Sequence, residues 1–172
     1  ANPSLGSILR AVEVPEVGGD TLFANMEAAF ASLDDATKAR IGDLTAVHDN
    51  ENFLNGMRAR GASDAEIEAK RKEFPPTTHP VIRTHPDSGN KSIYVNRAFT
   101  RSIEDMSQHE ADELLAKLYA TAANPDVQCR FRWRKNSLAF WDNRAAQHFA
   151  AADYWPHTRR MERVTIVGDR PR

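Results

Sequence analysis

Apolar residues dominate positions 7–14 (SILRAVEV), interrupted singly by Arg10 and Glu13, and this short run reads as a strand. Val17-Gly18-Gly19-Asp20 then reads as a tight turn into a second strand opening on Thr21-Leu22-Phe23. The pattern changes after Asn25, which is placed to cap a helix from Met26 whose Ala28, Ala29, Phe30 and Leu33 form an apolar stripe. Two capping boxes, Ser63 with Glu66 and Ser107 with Glu110, announce further helices. The first of these (ASDAEIEAKRKEF) is charged all round, so its KRK cluster reads as a solvated face rather than a nucleic-acid patch. Pro75, Pro76 and Pro80 force an extended connector behind it. The second carries Leu114, Leu115, Leu118 and Tyr119 at helical spacing and ends near Asn124-Pro125.

The remainder has strand character. VIRT and SIYV flank the turn THPDSGN, a hairpin signature. In VQCRFRWR the residues Val127, Cys129, Phe131 and Trp133 alternate with Gln128, Arg130, Arg132 and Arg134. This predicts Cys129 as a buried structural thiol and the arginines as an exposed or partner-covered face. SLAFWD and ERVTIV complete the strands, and no internal repeat is present.

Composition narrows the classes of function. The 172 residues suffice for a respectable core, and a net charge of −1 with a pI near 6.7 gives no global attraction for nucleic acid or an anionic membrane. No stretch approaches the roughly 18 apolar residues of a membrane span, and no signal peptide is visible, so a cytoplasmic location is expected. Cys129, as the single cysteine, excludes an internal disulfide.

Candidate chemistry concentrates in positions 141–167, WDNRAAQHFAAADYWPHTRRMERVTIV. His148 is followed by Arg159 and Arg163, eleven and fifteen positions on. In extended backbone the two arginines would share a face with their guanidiniums starting about 13 Å apart, enough for one pocket to hold two anions. The planar guanidinium grips carboxylate or sulfonate oxygens in pairs and stays charged.

This run resembles the C-terminal half of the TauD/TfdA family of iron(II)- and 2-oxoglutarate-dependent oxygenases. The resemblance continues, in family order, through SILRAVEVPEVGGDTLFANMEAAFASL, HPVIRTHPDSGNKSIYVNRAFTRSI and RVTIVGDRP, and only positions 50–76 diverge. It implies an all-β fold with flanking helices: a single oxygenase domain over 1–172, part of a double-stranded β-helix (a cupin-like jelly roll), N-terminally incomplete. It also implies iron(II) held by two histidines and a carboxylate, with His148 as the distal histidine. The other two ligands come from an HxD motif that in relatives lies a few residues before the position of Ala1, so the chain is expected to begin just after it. The only internal His-x-Asp, His85-Pro86-Asp87, sits in the hairpin turn and reads as turn chemistry.

By the same resemblance, Thr21 and Arg159 contact 2-oxoglutarate, Arg163 holds the anionic group of the substrate and Phe99 lines the substrate pocket. Trp141, Asp142 and Arg144 of the WDNR signature would support His148 by packing and hydrogen bonds. His48 lies near another pocket-forming segment, and His157 is expected to face solvent. The implied reaction uses O2 to hydroxylate taurine or a related alkylsulfonate, releasing sulfite. An alkyl sulfate or an aryloxy acid would preserve the same motifs, and a non-catalytic β-domain binding an anion or a partner is the reading from another class. Unpaired sheet edges favour association, so a homo-oligomer is expected, without nucleic acid or membrane partners.

Overall fold

In the computed structural model, which describes residues 2–172, eleven strands and five α-helices follow one another along the described chain. The strands sort into small antiparallel sheets. In the first, β1 (Gly6–Glu13) lies between β9 (Leu138–Asp142) and β11 (Arg160–Ile166). In the second, β2 (Thr21–Asn25) lies between β8 (Gln128–Phe131) and β10 (Ala146–Ala150). The third places β3 (Thr45–His48) between β4 (Thr77–Pro80) and β7 (Thr100–Ile103). The fourth is the predicted hairpin, β5 (Ile82–Thr84) with β6 (Lys91–Ile93). A β-rich chain with flanking helices is therefore borne out.

The helix signals act where the sequence puts them. Asn25 Oδ1 accepts from the backbone N–H groups of Glu27 and Ala28 and starts α1 (Met26–Ala31). Both capping boxes form, opening α4 (Asp64–Glu73) and α5 (Gln108–Ala122). Two short helices were not legible in the apolar pattern: α2 (Asp35–Ile41), capped by Asp34, and α3 (Glu51–Ala59), whose N-cap Asn50 makes no side-chain bond. The connector with Pro75, Pro76 and Pro80 is extended as expected, and its second half pairs with β3 as an outer strand, where a missing proline N–H is tolerated.

The core lies to one side. Met26, Ala29, Ile41, Ile93, Leu114 and Leu118 bring α1, α2 and α5 onto the hairpin and third sheet, whereas β2 supplies only Ala24. The first sheet instead divides into two unlike faces. Ser7 stands opposite Thr165 and Trp141, and Leu9 opposite Arg163 and Ala139, so these side chains share one face. On the other face Ile8, Phe140 and Val164 form an exposed apolar row.

One prediction fails here. Cys129 is exposed. The alternation does bury Val127 and Trp133, but Cys129 sits on an outer strand of the second sheet, and nothing is packed over it from that side. Arg130, Arg132 and Arg134 are exposed as expected, with Arg130 paired to Asp20 at 2.9 Å.

Candidate active site

His148 stands on β10 directly opposite Phe23 of β2, which puts both rings on one face of the second sheet. Thr21, two residues before Phe23, shares that face. Trp141 closes the gap from the first sheet: its ring lies 4.9 Å from His148 and 5.1 Å from Phe23. The two sheets therefore look at each other through these aromatic residues. His148 is exposed overall, yet packing against its aromatic neighbours desolvates the ring, and with the positive charge of Arg163 this holds its pKa below the ordinary value. Arg163 thus falls near His148, on the same face of the first sheet as Trp141.

The other arginine is built into a tighter setting. Arg159 lies just before β11, and its Nε donates to the carbonyl of Gly19 at 2.9 Å. Its guanidinium stands 6.0 Å from the Trp133 ring and 5.9 Å from the Tyr154 ring. Gly19 has a φ of +71°, and a Cβ there would come within 2.9 Å of Arg159 Cδ, so both backbone and space demand glycine. Asp153 secures the turn by accepting the Gly19 N–H at 2.8 Å. Trp133 donates its indole N–H to the Thr21 hydroxyl at 2.9 Å, with both residues buried. That bond leaves the Thr21 O–H free to donate. Arg159 Nη2 is buried without a partner among the described residues. An orphaned guanidinium N–H and a donor-ready hydroxyl, both set around Trp133, fit a carboxylate.

Phe99 is half-exposed on the connection between β6 and β7. Its backbone N–H donates to Asn96 Oδ1 at 3.0 Å and its carbonyl accepts from Asp49 at 2.9 Å. The aromatic neighbours of His148 are Phe23 and Trp141, and Phe99 is not among them. His48 is buried away from these residues, against Tyr94 and His79. His157 faces solvent as expected.

The WDNR residues divide their work. Trp141 packs on His148, but Asp142 and Arg144 make no hydrogen bond to it. Arg144 Nη2 instead bridges Asp142 at 2.7 Å and Asp87 at 2.9 Å. His85 Nε2 meets Asp142 Oδ2 at 3.1 Å while its Nδ1 accepts from the N–H groups of Asp87 and Ser88. Burial pushes the Asp142 carboxyl up, but the bonds from Arg144 and His85 prevail and hold it at about 2. Both nitrogens of His85 and the Asp87 carboxylate are thus engaged in fixing the hairpin turn, which supports the turn reading of His-Pro-Asp.

Among the described residues no three His, Cys, Asp or Glu side chains gather at metal-binding spacing. His148 stands alone as a donor, so these residues by themselves do not fit an iron centre of three protein ligands. The arginine and threonine setting does fit the anionic end of a co-substrate. Sequence reasoning missed Trp133 and Tyr154, the two rings around Arg159. A signal existed for Trp133, since a buried indole N–H needs an acceptor.

Nearly the whole chain is similar to proteins already described. The sulfate ester dioxygenase of Pseudomonas putida, described as alpha-ketoglutarate-dependent, is 36% identical over 169 residues, which are 96% of this chain and 56% of that protein. A putative alpha-ketoglutarate-dependent sulfonate dioxygenase of Schizosaccharomyces pombe is 35% identical over 170 residues, 98% of this chain and 42% of that protein. The crystal structure of AAD-2 in complex with Mn(II) and N-oxalylglycine superimposes with a TM-score of 0.86 at 33% identity, over 99% of this chain and 66% of that one. The chain therefore spans about half the length of the curated relatives it matches. Residues 1–165 match the model of one family, and the chain belongs to it: the taurine catabolism dioxygenase TauD, TfdA family.

Proposed function

We propose that the protein is an Fe(II)- and 2-oxoglutarate-dependent dioxygenase hydroxylating a small organic anion that ends in a sulfo group, with these 172 residues as the C-terminal portion of a jelly-roll oxygenase domain. The observation that carries the reading is the buried, unpartnered Nη2 of Arg159, whose guanidinium stands by the Trp133 ring that is itself bonded to Thr21. Iron(II), 2-oxoglutarate and dioxygen would together supply the oxidising chemistry. His148 would contribute one ligand, and a histidine and a carboxylate beyond those gathered here would be required.

Arg159 and Thr21 take the distal carboxylate of 2-oxoglutarate. Arg159 is aimed by the Gly19 carbonyl, and Thr21 by the acceptor bond from Trp133. Arg163 takes the sulfo group of the substrate, and its positive charge favours the neutral, ligating form of His148. Phe99 provides an apolar wall for the substrate chain. Fixing the reacting carbon is what the protein contributes, because small errors of position are costly.

The relatives support both a sulfonate and a sulfate ester, and their products differ. Hydroxylation of the carbon bearing a sulfonate gives an aldehyde and sulfite, whereas hydroxylation of the carbon bearing a sulfate ester gives an aldehyde and sulfate. Ion chromatography of the products assigns the class. The co-substrate reading is tested by Arg159→Ala in the full-length enzyme. Loss of a charge-assisted pair worth about 1.5–3 kcal/mol should raise the 2-oxoglutarate requirement roughly ten- to hundredfold, with little change in KM for the organic substrate. Unchanged 2-oxoglutarate dependence in a folded variant would move the co-substrate elsewhere.

A further inference from the structure

A second place in the molecule has the character of an anion site and shares no lining residue with the candidate active site. A cavity of about 330 Å³ opens between β7 and α5, walled by Arg97, Arg101, Thr100 and Tyr119, with Leu115 as apolar floor and Asp112 at its rim. The Arg97 guanidinium lies over the Tyr119 ring, 4.9 Å from its centroid, an arrangement that orients the fork without neutralising it. No carboxylate pairs with Arg97 among the described residues. Arg101 is anchored through Nε to Asp49 Oδ1 at 2.7 Å, while its Nη2 is buried and unpartnered. Asp112 leaves both arginines free, its Oδ1 accepting instead from Gln108 Nε2 at 2.8 Å. Asp49 offsets the charge of Arg101, and Arg97 is the lining cation that no carboxylate pairs with among the described residues.

A buried guanidinium N–H without an acceptor is unfavourable, and native structures rarely leave one. Arg101, Arg97 with its unpaired fork, and Tyr119 line the same opening. One carboxylate is satisfied by one fork, whereas the free fork of Arg97 together with the remaining N–H donors of Arg101 suits an anion with three or four oxygens. We propose that this cavity is a second anion site, taking a small tetrahedral oxyanion of the sulfate or phosphate type. Its two arginines flank Phe99 in sequence. Asp49, which holds Arg101 through its side chain, also holds the Phe99 carbonyl through its backbone N–H at 2.9 Å. An occupant would thus brace the segment that carries Phe99.

The test removes the other arginines first. In the chain carrying Arg159→Gln and Arg163→Gln, sodium sulfate and sodium phosphate are titrated separately against chloride at constant ionic strength, with calorimetry and thermal unfolding as readouts. Saturable binding of at least one of the two anions, with a rise in Tm, is expected. Adding Arg97→Gln, at an exposed position where folding is not at risk, should weaken it about tenfold or more. Arg101→Gln should abolish it while circular dichroism remains native. Absence of saturable binding to either anion, or binding unaffected by Arg97→Gln and by Arg101→Gln, would overturn the proposal. The difference between the sulfate and phosphate curves states which oxyanion is preferred.

Discussion

The indole N–H of Trp133 and the hydroxyl oxygen of Thr21 are 2.9 Å apart in a buried hydrogen bond, and the same indole ring faces the guanidinium of Arg159. One tryptophan therefore orients both groups assigned to the co-substrate. Trp133→Phe keeps most of the ring and removes the donor, leaving the Thr21 oxygen buried without its partner. Stability should fall by roughly 1–3 kcal/mol in urea denaturation, and 2-oxoglutarate affinity of the full-length enzyme should fall severalfold. Loss of stability with unaltered 2-oxoglutarate affinity would reduce the bond to a packing role.

Gly19→Ala should act on the same anion from the opposite side. A left-handed backbone costs an L-residue about 1–2 kcal/mol, and the new methyl would press on Arg159 Cδ. The expected result is a lower Tm together with a weaker response to 2-oxoglutarate. A variant as stable and as 2-oxoglutarate-dependent as the parent would show that the turn tolerates both.

Arg163→Lys preserves charge but loses the fork that grips two oxygens at once. In the full-length enzyme, affinity for the sulfo-bearing substrate should drop while that for 2-oxoglutarate stays nearly constant. Poor positioning of the reacting carbon should also make 2-oxoglutarate consumption exceed product formation. Parental affinity with full coupling would remove Arg163 from the substrate anion.

Acid should destabilise the chain through His48. Its ring is buried 5.2 Å from His79 and stacked 5.8 Å from Tyr94, and burial together with the His79 charge pushes its pKa down from 6.5 to about 4. Burial also pushes the His79 pKa down. Between these limits the unfolded chain binds the proton and the folded chain does not. The stabilisation is therefore fully present above about pH 6.5, is lost as pH falls toward 4, and amounts to roughly 3 kcal/mol for His48. Urea midpoints across that range should fall with pH, and His48→Gln should flatten the slope. An identical slope in the variant would assign acid sensitivity to other groups.

The 172-residue chain should bind Fe(II) weakly, because His148 gathers no second and third ligand among the described residues. Anaerobic calorimetry with Fe(II), or Mn(II) as a surrogate, checks this. Tight stoichiometric binding would bring His85 and Asp87 back as ligands and require their hairpin bonds to break.

What the sequence determined by itself is local. Asn25, Ser63 and Ser107 start helices because a side-chain oxygen satisfies backbone N–H groups two or three residues away, so the information lies within one turn. The Gly18-Gly19 turn and the hairpin at Pro86–Gly89 are legible for the same reason: their glycines supply the positive φ that other residues resist. The resemblance added His148, Thr21, Arg159 and Arg163, and the fold brings the first two onto one sheet face, with the arginines approaching from the first sheet and its preceding loop.

Tertiary structure decided what depends on neighbours distant in sequence. Alternation in β8 says that Cys129 and Trp133 share a face, but not which positions along it are covered; the outer strand leaves Cys129 open while Trp133 is buried against Thr21. Asp142 and Arg144 follow the same rule. Their charges could have served His148 or the hairpin, and the sheet register turned them toward His85 and Asp87. The burial of His48 against His79, and the vacancy on Arg159, have no local signature either. Each arises when segments far apart in the chain remove water from a polar group, and that cost is set by the assembled fold rather than by any run of residues.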